Sequence, residues 1–293
     1  MYNLRYHVAS LVSVFLALAL GLVLGGLVVD KTSTLGQSAI VNGIKQEFAS
    51  IRKENTQLNA DLDTYRAFAD DLGTQATGSA LSGKTIGVIG LDVKADDLAH
   101  KAIAAAGGKS VQVTLNAAKY DEADGSSKAN RLLAPLMISE GTTDPYTAIG
   151  ITLSKEWVVG GKTDKPLTQA LIDEGVLSIE NIDSFTGVEG VIDTAIDGKT
   201  VDKLGMAIAG AFYKASYPTI CASTFHGNDI LAEAGWKQNI SSTNMLGSSI
   251  GTYTIAALNN GAPAGLYGTS AGAKGLYPQL KTGTSTGKTT TKK

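Results

Sequence analysis

The sequence predicts an α/β protein in three parts: a membrane-spanning helix, a parallel coiled-coil stalk and a doubly wound domain. Three patterns predict it. Residues 8–29 carry no charge, residues 37–72 repeat apolar side chains in a 3-4 spacing, and short apolar strands alternate with helices from residue 84 onward. The uncharged run would extend roughly 33 Å as a helix, enough to cross a hydrocarbon core of about 30 Å. Its glycines suit a membrane span better than a soluble core helix. A cleaved signal peptide is the competing reading, but its apolar region runs only about 7–15 residues and ends at an A-x-A-like site. Gly25-Gly26-Leu27 matches such a site poorly.

Ala17, Gly21 and Gly25 recur at four-residue steps, a small-residue face on which two membrane helices can approach closely. Arg5 and the α-amine precede the run, whereas Asp30 and Lys31 follow it. A short tail (1–7) before a long domain favours a single-pass plasma-membrane protein, N-terminus inside and main domain extracytoplasmic.

In the stalk, Val41, Ile44, Phe48, Ile51, Asn55, Leu58, Leu62, Tyr65, Ala69 and Leu72 alternate between heptad positions a and d. Asn55 falls at an a position, where a buried Asn fixes register and favours two parallel strands. Glu47 (g) can reach Arg52 (e) of a partner, and Asp61 (g) can reach Arg66 (e). Such exposed pairs contribute about 0–1 kcal/mol and act mainly on partner choice. The alternative, one amphipathic helix packed on its own domain, would want a wider apolar face than a strict a/d seam.

Residues 73–82 read as a small polar linker. Residues 83–278 then have the composition of one α/β domain. Lys84–Gly90 reads as a buried strand, Asp96–Ala106 as a helix closed by two glycines, and Val111–Leu115 as the next strand. This β-α-β order implies a parallel sheet covered by helices, as in Rossmann-like or flavodoxin-like folds. Helices are predicted over 128–138, 146–158, 167–174, 201–216, 229–236 and 248–259, with a late central strand over 218–223. Residues 279–293 are too polar and simple to fold.

The net charge of −2 points to no nucleic-acid partner, and a single cysteine excludes an internal disulfide framework. Two strings look catalytic. Gly78-Ser-Ala-Leu-Ser-Gly83-Lys84-Thr85 matches a P-loop pattern, but a phosphate cradle needs a strand before it and a helix after it. Here the order is reversed. Gly247-Ser-Ser249-Ile-Gly251 matches a nucleophile elbow, yet no Asp, Glu or His follows Ser249 to complete a triad. Its simpler reading is a helix N-cap supplied by Ser248 or Ser249. No GxGxxG opens the helix after the first strand. The chain is therefore expected not to be an enzyme. Cys221 and His226 flank the end of the strand over 218–223, with Asp229 close by, and form the best candidate metal or small-molecule corner. A buried structural cysteine beside a loop histidine is the plainer reading of the pair.

The opening Leu4-Arg5-Tyr6-His7 with the apolar run behind it resembles the start of the actinobacterial MctB family. These are mycobacterial-type copper transport proteins, with SteB-like envelope proteins in the same group. Gly265-Leu-Tyr-Gly268-Thr-Ser-Ala-Gly272-Ala, with Pro278 behind it, is similar to the family's closing segment. The resemblance implies an extracytoplasmic α/β domain on a stalk, in copper efflux or envelope maintenance, acting with a second membrane-anchored envelope protein. Copper as a cofactor is implied by the resemblance alone. The expectation is thus a membrane-anchored parallel homodimer acting as a non-enzymatic scaffold or partner-binding component. A copper-homeostasis component and an enzyme with a cleft near His226 are the alternatives.

Overall fold

The computed structural model describes residues 4–91, 93–120, 140–161, 164–180, 182, 185–197 and 200–279, without the side chains of 4–9, 26–40, 74, 93 and 197. The expected helix over 128–138 and the tail from residue 280 lie outside the described residues. Two compact units divide the chain, 1–66 and 67–293.

In the first unit the backbone is one element. Helix α1 (Leu4–Thr77) continues without the expected break between a span at 8–29 and a stalk at 37–72. Among the described residues no helix is long and apolar enough to cross a membrane. The expected transmembrane helix is corrected accordingly. The single-pass plasma-membrane location, the N-inside and extracytoplasmic topology, and the membrane and second membrane-anchored protein as partners rested on that helix and are withdrawn with it. Ala17, Gly21 and Gly25 are exposed on α1, and a Cβ added at Gly21 or Gly25 would meet open space.

The second unit is built around a seven-stranded sheet of order β3-β2-β1-β4-β7-β8-β9. Its strands are β1 (Thr85–Gly90), β2 (Lys109–Leu115), β3 (Leu177–Ile179), β4 (Gly190–Asp193), β7 (Thr219–Thr224), β8 (Ser241–Leu246) and β9 (Leu266–Tyr267). A separate two-stranded antiparallel ribbon joins β5 (Ile196–Asp197) and β6 (Thr200–Val201). The main sheet is mixed rather than wholly parallel, because β3 pairs antiparallel with β2. Only three residues long and at the edge, β3 returns directly from the helix before it and needs no crossover.

Helices cover both faces. On one side α3 (Pro145–Trp157), α4 (Pro166–Asp173) and α5 (Lys203–Lys214) bury Trp157, Leu171, Ile208 and Phe212 against Ile89, Val113 and Val191. On the other, α2 (Val93–Ala105) and α7 (Ser249–Asn259) cover Ile86, Val88, Ile192 and Leu246. The alternation of Ile86 and Val88 against Ile89 follows the two-residue period of a strand. A third cluster sets α6 (Ile230–Lys237) beside α5 around Cys221, Met206 and Leu231.

The stretch expected to be a linker, 73–82, is part of this unit. Helix α1 reaches Thr77, and Leu81 is fully buried with its N–H donating to the Ala106 carbonyl. Trp157 donates its indole N–H to Thr168, and the buried Glu156 carboxylate accepts the Leu167 and Thr168 N–H groups, so it caps α4. Phe212, fully buried, packs on Trp157 and Tyr217. Phe212→Ala is expected to lower unfolding free energy by about 3–5 kcal/mol in a urea titration of the full chain. A change below about 1 kcal/mol would mean that this aromatic cluster is not the centre of its layer.

Candidate functional site

In an open α/β sheet, ligands favour the carboxyl ends of strands where the order of connection reverses. Here β1 lies between β2 and β4, so the reversal sits at the ends of β1 and β4. Three acids gather there. Asp193 ends β4 and is wholly buried, Asp96 lies in the first turn of α2, and Asp202 is the N-cap of α5.

Each has a distinct task. Asp96 Oδ1 lies 2.6 Å from the Thr194 hydroxyl and Oδ2 2.8 Å from the Gln112 amide nitrogen. It sits so close to Gly90 that a Cβ there would fall 1.8 Å from Oδ1. Glycine at the end of β1 is what admits the carboxylate. Asp202 accepts the Gly205 N–H at 2.7 Å and the Tyr120 hydroxyl at 2.7 Å. It also lines a cavity of about 430 Å³ with Asp144, Thr147, Lys203 and Met206.

Asp193 is different. Its Oδ1 accepts the Ala195 N–H at 2.9 Å, while Oδ2 is buried without a hydrogen-bond partner. Burial pushes its carboxyl up from an ordinary 3.8 to about 8; the Ala195 N–H opposes that, and the charges of Asp202 and Asp96 add to it. The group is a neutral acid at pH 7 and a store for one proton. Among the described residues, no group of three or more His, Cys, Asp or Glu is arranged to hold a metal ion.

The predicted metal pair stands in two surroundings. Cys221 is wholly buried among Met206, Ala209, Leu231 and Ile240, and burial, helped by Asp193, pushes its thiol well above 9.0. A thiol held protonated is a poor soft-metal ligand, because the thiolate is the ligand. His226 occupies a left-handed turn (φ 61°) and stacks on Phe225, ring centroids 3.7 Å apart. Asp229, expected beside them, is a latch. It accepts from Asn244 at 3.1 Å and from Ser270 at 2.8 Å, while Asn244 also accepts the Thr269 N–H at 2.9 Å. This network fastens the closing segment 268–270 across the end of β8.

The two catalytic-looking strings take structural places. Gly83 turns the chain from α1 into β1 at φ +78°, and Lys84 donates to the Asn259 carbonyl and the Asn260 side chain. Ser248 caps α7 by accepting the Gly251 N–H at 3.1 Å, and Ser249 donates to Asp70 near the end of α1. Seam residues Val41, Ile44, Phe48, Ile51, Asn55, Leu58, Leu62 and Tyr65 are all exposed along α1.

A family profile described as "Copper transport outer membrane protein, MctB" matches residues 1–278. The chain belongs to the MctB family. No curated protein and no solved structure matches the chain. The profile reaches from the first residue of this family member through the latch that Asp229 and Asn244 make with 268–270.

The proton on Asp193 gives a pH prediction. Its folded value lies above its unfolded one, so between about 4 and 8 the folded chain holds a proton that the unfolded chain releases. Stability contributed through this group therefore falls as pH rises through that range, by about 1.4 kcal/mol per pH unit. Asp193→Asn should flatten the slope in pH-resolved urea unfolding. A wild-type slope that survives the substitution unchanged contradicts the assignment.

Proposed function

We propose that this MctB-family protein works as a self-associating binding protein, joined to a second copy through the 41–65 face of α1. One observation carries the reading. Seven apolar side chains at a and d positions between Val41 and Tyr65 are each 47% to 71% exposed in the single chain. A surface of that pattern is stable when a matching helix covers it.

The occupant is argued from the same residues. A strict a/d seam fits a second narrow seam rather than the broad face of a globular domain. Asn55, exposed in the single chain, has the chemistry to pair with its own copy across a parallel dimer. Glu47 and Asp61 match Arg52 and Arg66 of such a copy in sign and spacing. Arg66 lies 3.4 Å from Asp63 on its own helix, an exposed pair that costs little to exchange.

Sedimentation of the full chain tests this. The wild type should sediment at twice the chain mass at micromolar concentration, and Ile51→Asp should sediment as a monomer. Leu58→Ala should weaken the dissociation constant by about thirtyfold, equivalent to about 2 kcal/mol. Wild-type monomer at all concentrations, or Ile51→Asp dimers as stable as wild type, would overturn the reading.

A further inference from the structure

Several contacts press the first turn of α5 onto the end of β4. Residue 205 is glycine, and a Cβ there would fall 2.8 Å from Ala195 Cβ and 3.0 Å from Asp193 Oδ1. Asp202 donates its backbone N–H to the Ala195 carbonyl at 3.2 Å, and the Ala195 N–H reaches Asp193 Oδ1 at 2.9 Å. Asp202 Oδ1 accepts the Gly205 N–H and Oδ2 the Tyr120 hydroxyl, both at 2.7 Å. The Tyr120 carbonyl accepts the Tyr146 hydroxyl at 3.1 Å. One helix turn thus joins β4, the segment after β2 and the start of α3.

The same turn walls off a cavity. Val201, Asp202, Lys203 and Met206 line the space of about 430 Å³, and Met206 packs with Cys221, the register partner of Asp193 on β7. The first turn of α5 therefore stands between the cavity and the buried acid. The titratable groups that face Asp193 are Asp202 from α5, Asp96 from α2 and Cys221 from β7, and none brings a positive charge. Among the described residues Asp193 Oδ2 has no hydrogen-bond partner. A neutral carboxyl tolerates that, whereas a buried carboxylate needs further donors or water. Asp96 is tied at both oxygens and seated against Gly90, so the neighbour that can yield is Asp202, on the cavity side.

We propose that this turn is a proton-operated catch: while Asp193 holds its proton the start of α5 stays closed on β4, and loss of that proton opens the turn toward the cavity and releases Tyr120. The proton passes from the Asp193 carboxyl to solvent, and no other covalent bond changes. The opened turn admits water to the orphaned oxygen. Burial holds this carboxyl at about 8, so opening grows more favourable as pH rises toward that value and then levels off. The opening is confined to one turn and is distinct from unfolding of the sheet. It does not rest on self-association through α1.

The test is hydrogen exchange of the full chain, read by mass spectrometry on peptides within 200–208 and, for comparison, within β1. After correction for intrinsic exchange, the α5 turn should exchange at least about 100-fold faster than β1, whose exchange reports global unfolding. Its protection should fall about tenfold from pH 6 to pH 7 and level off above about pH 8. Asp193→Asn, which keeps a neutral group of the same shape, should hold the pH 6 protection throughout. Tyr120→Phe removes the outer link and should lower protection about tenfold at every pH without altering the slope. Should Asp193→Asn fail to fold, the slope and its levelling in the wild type and in Tyr120→Phe still decide. An α5 turn that exchanges only together with β1, protection independent of pH, a slope unchanged in Asp193→Asn, or wild-type protection in Tyr120→Phe would each overturn the proposal.

Discussion

The seat of Asp96 against Gly90 is the contact on which the α/β unit turns. Because β1 ends without a side chain, a carboxylate from α2 descends onto the strand end, where any Cβ would collide with it. From there it reaches Thr194 behind β4 and Gln112 on β2, so one acid joins α2 to three strands of the sheet. Thr194 reinforces the join by donating its backbone N–H to the Ile89 carbonyl at 2.8 Å. Burying an acid is costly unless its oxygens are satisfied, and here both are.

The same accounting separates Asp193 from its neighbours. Wholly buried, with one oxygen orphaned and two other acids near, it holds its proton at neutral pH instead of its charge. The switch point therefore contains Asp96, satisfied on both oxygens, and Asp193, which is neutral at the same pH. That pairing keeps like charges from accumulating in the core.

Much of this was legible in the residues. The strand at Ile86–Ile89, the amphipathic helix around Leu204, Ile208 and Ala211, and the Pro-led starts of α3 and α4 follow from period and punctuation. Strand β8 did not show, because Ser-Ser-Thr-Asn is polar to the eye and buried in fact. Ser242 donates to the Ile240 carbonyl, Thr243 accepts the Met245 N–H, and Asn244 joins the latch, so the polarity is absorbed locally. Strand β4 has only four residues, and Asp193 was invisible as a site residue because its strand was. Asp96, His100, Ser110 and Gln112 did carry a signal, i to i+4 on a helix and i to i+2 on a strand. That signal becomes meaningful only once β2 is known to lie under α2. The uncharged run near the N-terminus misled in the opposite way: absence of charge read as a span, whereas among the described residues no helix is long and apolar enough to cross a membrane.

Helix α1 and the sheet thus present different physics in one chain, an exposed seam in the first unit and hydrogen-bonded acids at the strand ends in the second. Gln112, whose nitrogen faces Asp96, sets its Oε1 2.7 Å from His100 Nε2, so its orientation can be read from the His100 ring by nitrogen-resolved NMR, with His100→Gln to assign its signals among the three histidines. The account predicts that Nε2 carries its hydrogen toward Gln112, with Nδ1 shifted as a hydrogen-bond acceptor. A ring protonated at Nδ1 would mean that Gln112 faces the other way and that Asp96 does not orient it, and it would contradict the account.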